Sequence, residues 1–385
     1  MQATEVEPGL TDHQKAIQNA ARSFAEKEMR PVVMRYDESQ EFPFPIVAKL
    51  AELGFMGITW PEELGGAGLS DLDLAVIIEE LARVDPSVAL TVASHNSLCT
   101  GHIMLHGSEE QKREYVPDLA SGRKLGAWGL TEPGSGSDSG GMSTTATRSG
   151  SDWMLNGSKT FITQGSVAST YVIMAVTDRS RPKASISSFI VEKGTKGFTV
   201  GKKENKLGMR CSDTATLLFD NVHVPGRNLI GKVGEGFKQA LRVLDGGRVG
   251  IAALSVGIAQ GALDASLKYA KERQQFGKPL ANFQAIQWKL ADMATEIEAA
   301  RLLTHRAAWM KMKGEQINLA ASQAKFFASE AAVRAANEAV QIHGGYGFIK
   351  DFPVEKLYRD VKLMTIGEGT SEVQKMIIAR NLLGH

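Results

Sequence analysis

At 385 residues the chain is too long for one ordinary core and implies two or three domains, with room to bury a large site. Its 43% hydrophobic and 23% charged content lies near the globular average and argues against a disordered or a membrane class. Lys and Arg (44) balance Asp and Glu (43) without a basic run or an aromatic-basic stripe, so nucleic acid and anionic membrane are not expected partners, whereas small molecules and other proteins are.

The opening stretch MQATEVEPGLTDHQKAIQ has neither an apolar h-region nor an Arg/Ser-rich amphipathic character, so no secretory or transit peptide is read there. From Thr11 to about Gly122 the spacing is helical: Ile17, Ala21 and Phe24 share a face, and Ser70 and Ser108 each open a segment with a capping-box partner, Asp73 and Gln111. Within it lie Cys99 and, at helical i,i+4 spacing, His102 and His106. No glutamate separates the two histidines as HExxH zinc chemistry requires, and a packed or surface role is expected for them. Cys99 and Cys211 form no CxxC, so neither a disulfide framework nor a metal site is expected, only buried thiols in a reducing compartment.

From about Lys124 to Lys232 the period changes to two, in runs such as TYVIMAV, SISSFIV and ATLLF separated by turn residues. From Val233 onward helical spacing returns, as in Ile251, Leu254, Ile258 and Ala262, and Ala-rich segments run nearly to the end. No stretch reads as an apolar span of about 18 residues. The order predicts an α+β multidomain chain: a helical domain over 1–123, a β domain over 124–232 and a helical bundle over 233–385. Contiguous strands are not the alternation of a doubly wound sheet, so a Rossmann fold is disfavoured.

Five segments stand out from this background. WGLTEPGSGSD, Trp128 to Asp138, leaves a strand for a loop whose backbone N–H groups and hydroxyls suit an anion or a polar ring edge, although it also reads as a flexible turn. Its glycines miss the dinucleotide-binding spacing. GSKTFITQG puts Phe161 and Thr163 on one face of a strand and Ile162 on the other, where Thr163 could donate to a flat heterocycle or simply be half-buried. ERQQFGKPLANFQAIQ carries Arg273, whose fork of donors suits a phosphate or an ordinary salt bridge, before a glycine-proline turn, and Gln284 at the start of the next helix. QIHGGYGF ends a helix in a Gly-Gly break that admits a ligand to the backbone or is only a C-cap. IGEGTSEVQ sets Glu368 between two glycines, and Ser371 with Gln374 forms a capping-box pattern at the entry to a last helix.

Together and in this order, TEPGSGSD, FIT, ERQQFGKPL, QIHGGYGF and EGTSEVQ resemble the acyl-CoA dehydrogenase family along essentially the whole chain. LDGGRVGIAALSVGIAQ and IQWKLADMATEIEAARLLTHRAA are similar to its short-chain, butyryl-type branch. The resemblance implies an N-terminal helical domain, a middle β-barrel-like domain and a C-terminal four-helix bundle holding FAD. It makes Glu368 the catalytic base. Trp128, Gly129, Leu130, Thr131, Gly136 and Ser137 would wall the flavin ring, with Phe161, Ile162 and Thr163 lining its other part. Arg273, Phe276 and Gln284 would reach the diphosphate and adenosine portion from a neighbouring subunit, joined at that end by Gln341, Gly344 and Gly345, while Thr370 and Glu372 close the flavin site. Ser137, Phe237, Asp245, Arg248 and Gly369 match the acyl-CoA side.

The implied reaction is α,β-dehydrogenation of a short-chain acyl-CoA to the trans-2-enoyl-CoA: Glu368 takes the α-proton, a hydride passes to flavin N5, and electrons leave to electron-transferring flavoprotein. A homotetramer, as a dimer of dimers, is the implied assembly. The implied compartment is the cytoplasm for a prokaryotic chain or the mitochondrial matrix for a processed eukaryotic one. A weakly acidic α-proton needs a carboxylate removed from water, with a pKa above its solution value of about 4.3.

This sequence departs from the family at Gly367, where a tyrosine often precedes the base, so chain length does not carry over. Some relatives place the base in the LDGGRV helix, where this chain has Gly246 and Gly247, which leaves Glu368 as the expected base. Rival readings are a medium-chain, branched or cyclic acyl-CoA dehydrogenase, an acyl-CoA oxidase, which usually carries a further C-terminal domain, and an idle CoA-binding scaffold of the same fold.

Overall fold

The computed structural model describes residues 9–180 and 185–384; the first eight residues, part of the stretch read for a leader, lie outside them. The N-terminal segment forms α1 (Asp12–Phe24), α2 (Val33–Ser39), α3 (Phe44–Glu52), α4 (Asp71–Ala82), α5 (Pro86–Ser94), α6 (Gly101–His106) and α7 (Glu109–Ala120). Capping boxes open α4 at Ser70 and α7 at Ser108, as the spacing predicts, and a third opens α1 at Thr11. Ala21 and Phe24 are buried and Ile17 packs against the same core.

Sequence spacing did not reveal two π-helical segments, Ala25–Met29 and His95–Thr100. The second joins α5 to α6 and turns two polar side chains inward. His95 Nδ1 accepts from Gly126 N (3.1 Å) and its Nε2 bonds Leu119 O (2.9 Å). Asn96 accepts from Ile58 N and donates to the Phe55 and Val92 carbonyls. Such bulges cluster at sites where function constrains a helix.

The middle segment supplies β1 (Gly126–Gly129), β2 (Thr145–Ser149), β3 (Asp152–Thr163), β4 (Thr170–Val176), β5 (Ile186–Glu192), β6 (Phe198–Lys203), β7 (Thr214–Val224) and β8 (Leu229–Ile230). They pair in the order β6-β7-β3-β2-β4-β5-β8, with β1 added parallel to β4. β4 is buried along its whole length because β1 and β5 flank it.

The C-terminal segment contains α8 (Gly236–Glu272), a hairpin of β9 (Gln274–Gln275) and β10 (Lys278–Pro279), α9 (Gln284–Met312), α10 (Asn318–His343), α11 (Val354–Val361) and α12 (Ser371–Leu383). By length and composition α8 could cross a membrane, contrary to the sequence reading. In fact 83% of its most apolar window is buried, with Ile251, Leu254, Ile258 and Ala262 among the core residues, because α4, α5, α9 and α10 pack around it.

One buried ion cluster joins all three segments. Lys356 of α11 donates to Asp85 (2.9 Å), the N-cap of α5, and to Asp360 (2.6 Å), which also accepts from the backbone N–H of Met209 (2.5 Å). Burial alone would push the Lys356 ammonium down, but Asp360 and Asp85 reverse this and hold it above the lysine range. Cys211 lies 3.7 Å from Asp85, and burial pushes its thiol up; Cys99 and Cys211 are both free and buried.

Lys356→Met should leave two buried carboxylates facing one another without their cation. Breaking a buried pair in this way costs about 3–5 kcal/mol. Urea unfolding of the variant is expected to show a loss of this size, and a midpoint within error of the parent would show that the cluster does not hold the segments together.

Candidate active site

Glu368 sits on a turn that no ordinary helix start would produce. After a 3₁₀ turn at Lys362–Thr365 the chain passes through Gly367, then Glu368 at φ +53° and Gly369 at φ +97°. A non-glycine residue in the left-handed region costs on the order of 1 kcal/mol or more and has to be held. The holding groups differ from those expected. Thr370, not Ser371, caps α12 by accepting from Val373 N (3.3 Å), since the helix starts one residue after an extended Thr370. Ser371 instead donates to Glu330 (2.6 Å). Gln374 reaches back to the carbonyls of Gly369 (2.9 Å) and Glu368 (3.3 Å), and Lys325 Nζ donates to Gly369 O (2.7 Å).

The Glu368 side chain points at α8. A Cβ added to Gly247 would lie 2.0 Å from Glu368 Oε2, so the carboxylate occupies the space that glycine leaves. Although the residue as a whole is half-buried, Oε2 is buried and has no hydrogen-bond partner. Burial raises the Glu368 pKa to about 7, while the charges of Arg248 and Lys325 oppose the rise. Arg248 is buried and paired with Asp245 (2.6 Å), which also accepts from Asn318 (2.7 Å). At Gly367 an added Cβ would meet only Leu363, at 3.5 Å or more, so a larger side chain fits that backbone.

The glycine-serine loop is built on a buried acid. Glu132 accepts from Ser143 N and Oγ (both 2.6 Å), Thr144 N (3.0 Å) and Lys159 Nζ (2.7 Å), and Lys159 also donates to Leu130 O (3.1 Å). Burial would raise the Glu132 carboxyl, but these donors bring it down to about 2; burial lowers Lys159 to about 8 against the pull of Glu132. With its ends fixed, the loop leaves Gly136, Ser137 and Asp138 exposed, Thr131 half-buried and Leu130 inside. Phe237 at the start of α8 lies 3.9 Å from a Cβ placed on Gly140.

Trp128 is buried, and its indole N–H donates to His102 Nδ1 (3.1 Å). His102 Nε2 meets Gln239 Oε1 (3.2 Å), and Gln239 donates to Ile230 O (3.1 Å). Burial lowers His102 to about 3, so the ring is neutral, as its packed role predicts. Gly129 is also buried, and a Cβ there would lie 2.7 Å from Ile173.

On β3 the predicted alternation gives way to a bulge between Lys159 and Ile162. Phe161 adopts φ +57° and is 65% exposed, Ile162 is buried and Thr163 is half-buried. An exposed aromatic ring held in a strained backbone next to a half-buried hydroxyl is a surface built for contact rather than for the core.

Arg273, Gly344 and Gly345 line a surface cavity of about 480 Å³ with Tyr269, His343 and Tyr346. Tyr269 stacks on His343 (4.2 Å between ring centres), and the Arg273 guanidinium lies 5.2 Å over the Tyr346 ring. Gly344, at φ +59°, ends α10 as the Gly-Gly break predicts. Nothing lies within 4 Å of a Cβ placed on Gly344 or Gly345, so their backbone is open. Phe276, at the tip of the β9–β10 hairpin, is 93% exposed, and Gln284, Gln341 and Glu372 are exposed as well. Among the described residues, no hydrogen bond, ion pair or ring contact links this cavity to Trp128–Ser137 or to Glu368.

The chain matches the acyl-CoA dehydrogenase N-terminal domain over residues 11–123, the middle domain over 127–222 and the C-terminal domain over 234–383. It is 47% identical over 370 residues to the short-chain-specific acyl-CoA dehydrogenase of Clostridium acetobutylicum, covering 96% of this chain and 98% of that one. It is 46% identical to subunit CarC of the caffeyl-CoA reductase–Etf complex of Acetobacterium woodii, over 97% and 99% of the two chains. Its fold superposes on butyryl-CoA dehydrogenase from Megasphaera elsdenii with a TM-score of 0.96 at 44% identity, over 98% and 100% of the two chains. Domain by domain and over its length, the chain belongs to the acyl-CoA dehydrogenase family.

Proposed function

We propose that the chain is an FAD-dependent dehydrogenase of short-chain acyl-CoA, with Glu368 as the base that takes the α-proton. The observation that carries this reading is the state of Glu368: a buried carboxylate oxygen without a hydrogen-bond partner, on a left-handed turn, in the space left by Gly247. A buried acceptor left unpaired costs stability and calls for an explanation, and a base poised near neutral pH supplies one. Gly246 and Gly247 leave no acid on α8 at this place.

The residues fit FAD. Thr131–Ser137, open at Gly134 and Gly136 and backed by the buried Trp128–Leu130, and Phe161–Thr163 offer backbone, hydroxyls and an exposed ring to a flat heterocycle, and Arg273 beside the bare Gly344–Gly345 backbone suits a diphosphate. Bound FAD supplies the acceptor for the hydride equivalent lost from the β-carbon. Ser137, Phe237 and the Arg248–Asp245 pair would orient the thioester, while Glu368 takes the proton. Along α8, Gly247 and Arg273 are separated by about 39 Å at 1.5 Å per residue. By the family resemblance a single FAD takes these two regions from two chains, and the lack of any bond between them within one chain, among the described residues, supports that reading. Exposed Phe276, Trp288 and Phe348 on the C-terminal segment suit burial against a second copy, and the homotetramer extends this pairing. Electrons would pass on to electron-transferring flavoprotein, a reading supported by the Etf-complex subunit among the relatives.

Glu368→Gln should retain FAD and bind butyryl-CoA yet lose nearly all anaerobic flavin bleaching; bleaching at close to the parent rate would remove Glu368 as the base. For the parent, kcat/KM should rise with pH through about 7, because the base acts only when ionised and its pKa is raised. Activity at pH 6 is expected to be about a tenth of the plateau. A profile that stays flat down to pH 5.5 would contradict this. Arg273→Ala should weaken FAD retention and the oligomer together, as read by flavin content and sedimentation. A fully flavinated, fully assembled variant would reduce Arg273 to a surface residue.

A further inference from the structure

Lys325 has no counterpart in the sequence motifs. It lies in α10 among Ala321, Ala324, Ala328 and Ala332, all buried, and is itself fully buried. A buried ammonium is costly unless something in the fold uses it. Among the described residues its one hydrogen-bond acceptor is the carbonyl of Gly369 (2.7 Å), the residue that follows Glu368. That bond crosses from α10 to a turn in which two successive residues, Glu368 and Gly369, are left-handed. Among the described residues, Gln374 is the only other side chain bonded to the Glu368 and Gly369 carbonyls.

We propose that Lys325 is a positioning residue for the proton transfer: it holds the Glu368–Gly369 turn by the Gly369 carbonyl, and its charge stabilises the Glu368 carboxylate as the substrate is engaged. The inference rests on Glu368 being the base. Other charged groups near the pair are Arg248, tied to Asp245 on α8, Glu330 on α10, and Glu372 with Lys375 on α12. Arg248 is the stronger of the two charges that favour ionised Glu368, but it is tied to Asp245 on α8 and makes no bond to the Glu368–Gly369 turn. Lys325 bonds only a neutral carbonyl, and it makes no ion-pair contact with Glu368, whose Oε2 stays unpaired for the substrate proton. Burial lowers Lys325 to about 8 while Glu368 opposes the fall, so the ammonium persists where Glu368 ionises. A base held at a distance from its cation gains ionisation without surrendering the lone pair that takes the proton.

The test compares Lys325→Met, Lys325→Gln and Lys325→Arg as FAD-loaded oligomers, reading kcat/KM for butyryl-CoA from pH 5.5 to 9, flavin content and Tm. With Met or Gln the acid limb should move to higher pH by about one unit, a loss of roughly tenfold at pH 6.5 that narrows above pH 8. With Arg, which keeps the charge, the limb should stay close to the parent. Parent-like acid limbs in Met and Gln, with only Tm or flavin content reduced, would make Lys325 a purely structural residue and overturn the proposal. Failure of both variants to fold would overturn it equally, by assigning the residue to the fold. Glu368→Gln run in parallel separates the two readings. If it still bleaches its flavin, the base assignment fails; if it is inactive while the Lys325 limbs do not move, only the inference about Lys325 fails.

Discussion

The geometry of the whole chain hangs on a positive charge shared between two buried carboxylates. Lys356 ties Asp85, at the head of α5, to Asp360, and Asp360 takes the backbone of Met209 from the segment before β7. One cation thus fixes a short helix against the N-terminal and middle segments at once. Arg359, one helical position away from Asp360, adds Asp37 (2.7 Å) and the Leu207 carbonyl (3.4 Å) to the same junction. What leaves that helix is the 3₁₀ turn and then Glu368. The placement of the unpaired carboxylate therefore begins where three parts of the chain meet, with α11 as the lever between them.

Two glutamates drawn away from water in this protein stand at opposite extremes. Glu132 is saturated: three backbone or hydroxyl donors and one ammonium fill its oxygens, its pKa falls, and the loop it anchors is held rigid. Glu368 is starved: its nearest cations stay beyond ion-pair contact, its pKa rises, and one oxygen remains free. The same residue type is fully bonded or left with a free oxygen according to how many donors the fold brings to it. Glycine makes the second case possible, since any side chain at 247 would fill the space that Glu368 occupies.

Much of this was legible in the sequence because much of it is local. The change of period near Lys124 and again near Val233, the capping boxes at Ser70 and Ser108, the start of α9 at Gln284 and the end of α10 at Gly344 all depend on residues a few positions apart. The expected capping box at Ser371 failed by a single residue, because Thr370 could cap equally well and Gln374 was drawn back to the turn. The partners that hold these segments are remote: Lys159 is 27 residues from Glu132, Lys325 is 44 from Gly369, and Lys356 is 271 from Asp85. Nothing in a window of periodicity marks such pairs. The one available signal is a lysine in a run otherwise fit for the interior, as in AASQAKFFASEAA. The left-handed Phe161 escaped for a similar reason, since a β-bulge depends on the neighbouring strand.

α8, an unbroken helix of 37 residues, carries Phe237 beside the glycine-serine loop and Gly247 against Glu368, and Arg273 is the residue that directly follows its C-terminal end. An insertion or deletion of a single residue between any two of these positions would advance the remainder by about 1.5 Å and rotate it by about 100°. Arg273 would then face another direction while every local helix preference remained intact. Changes in chain length can be absorbed in the loops between strands, but this helix acts as a phase-locked ruler. Its residue count between 237 and 273 is as much a part of the site as any side chain it bears.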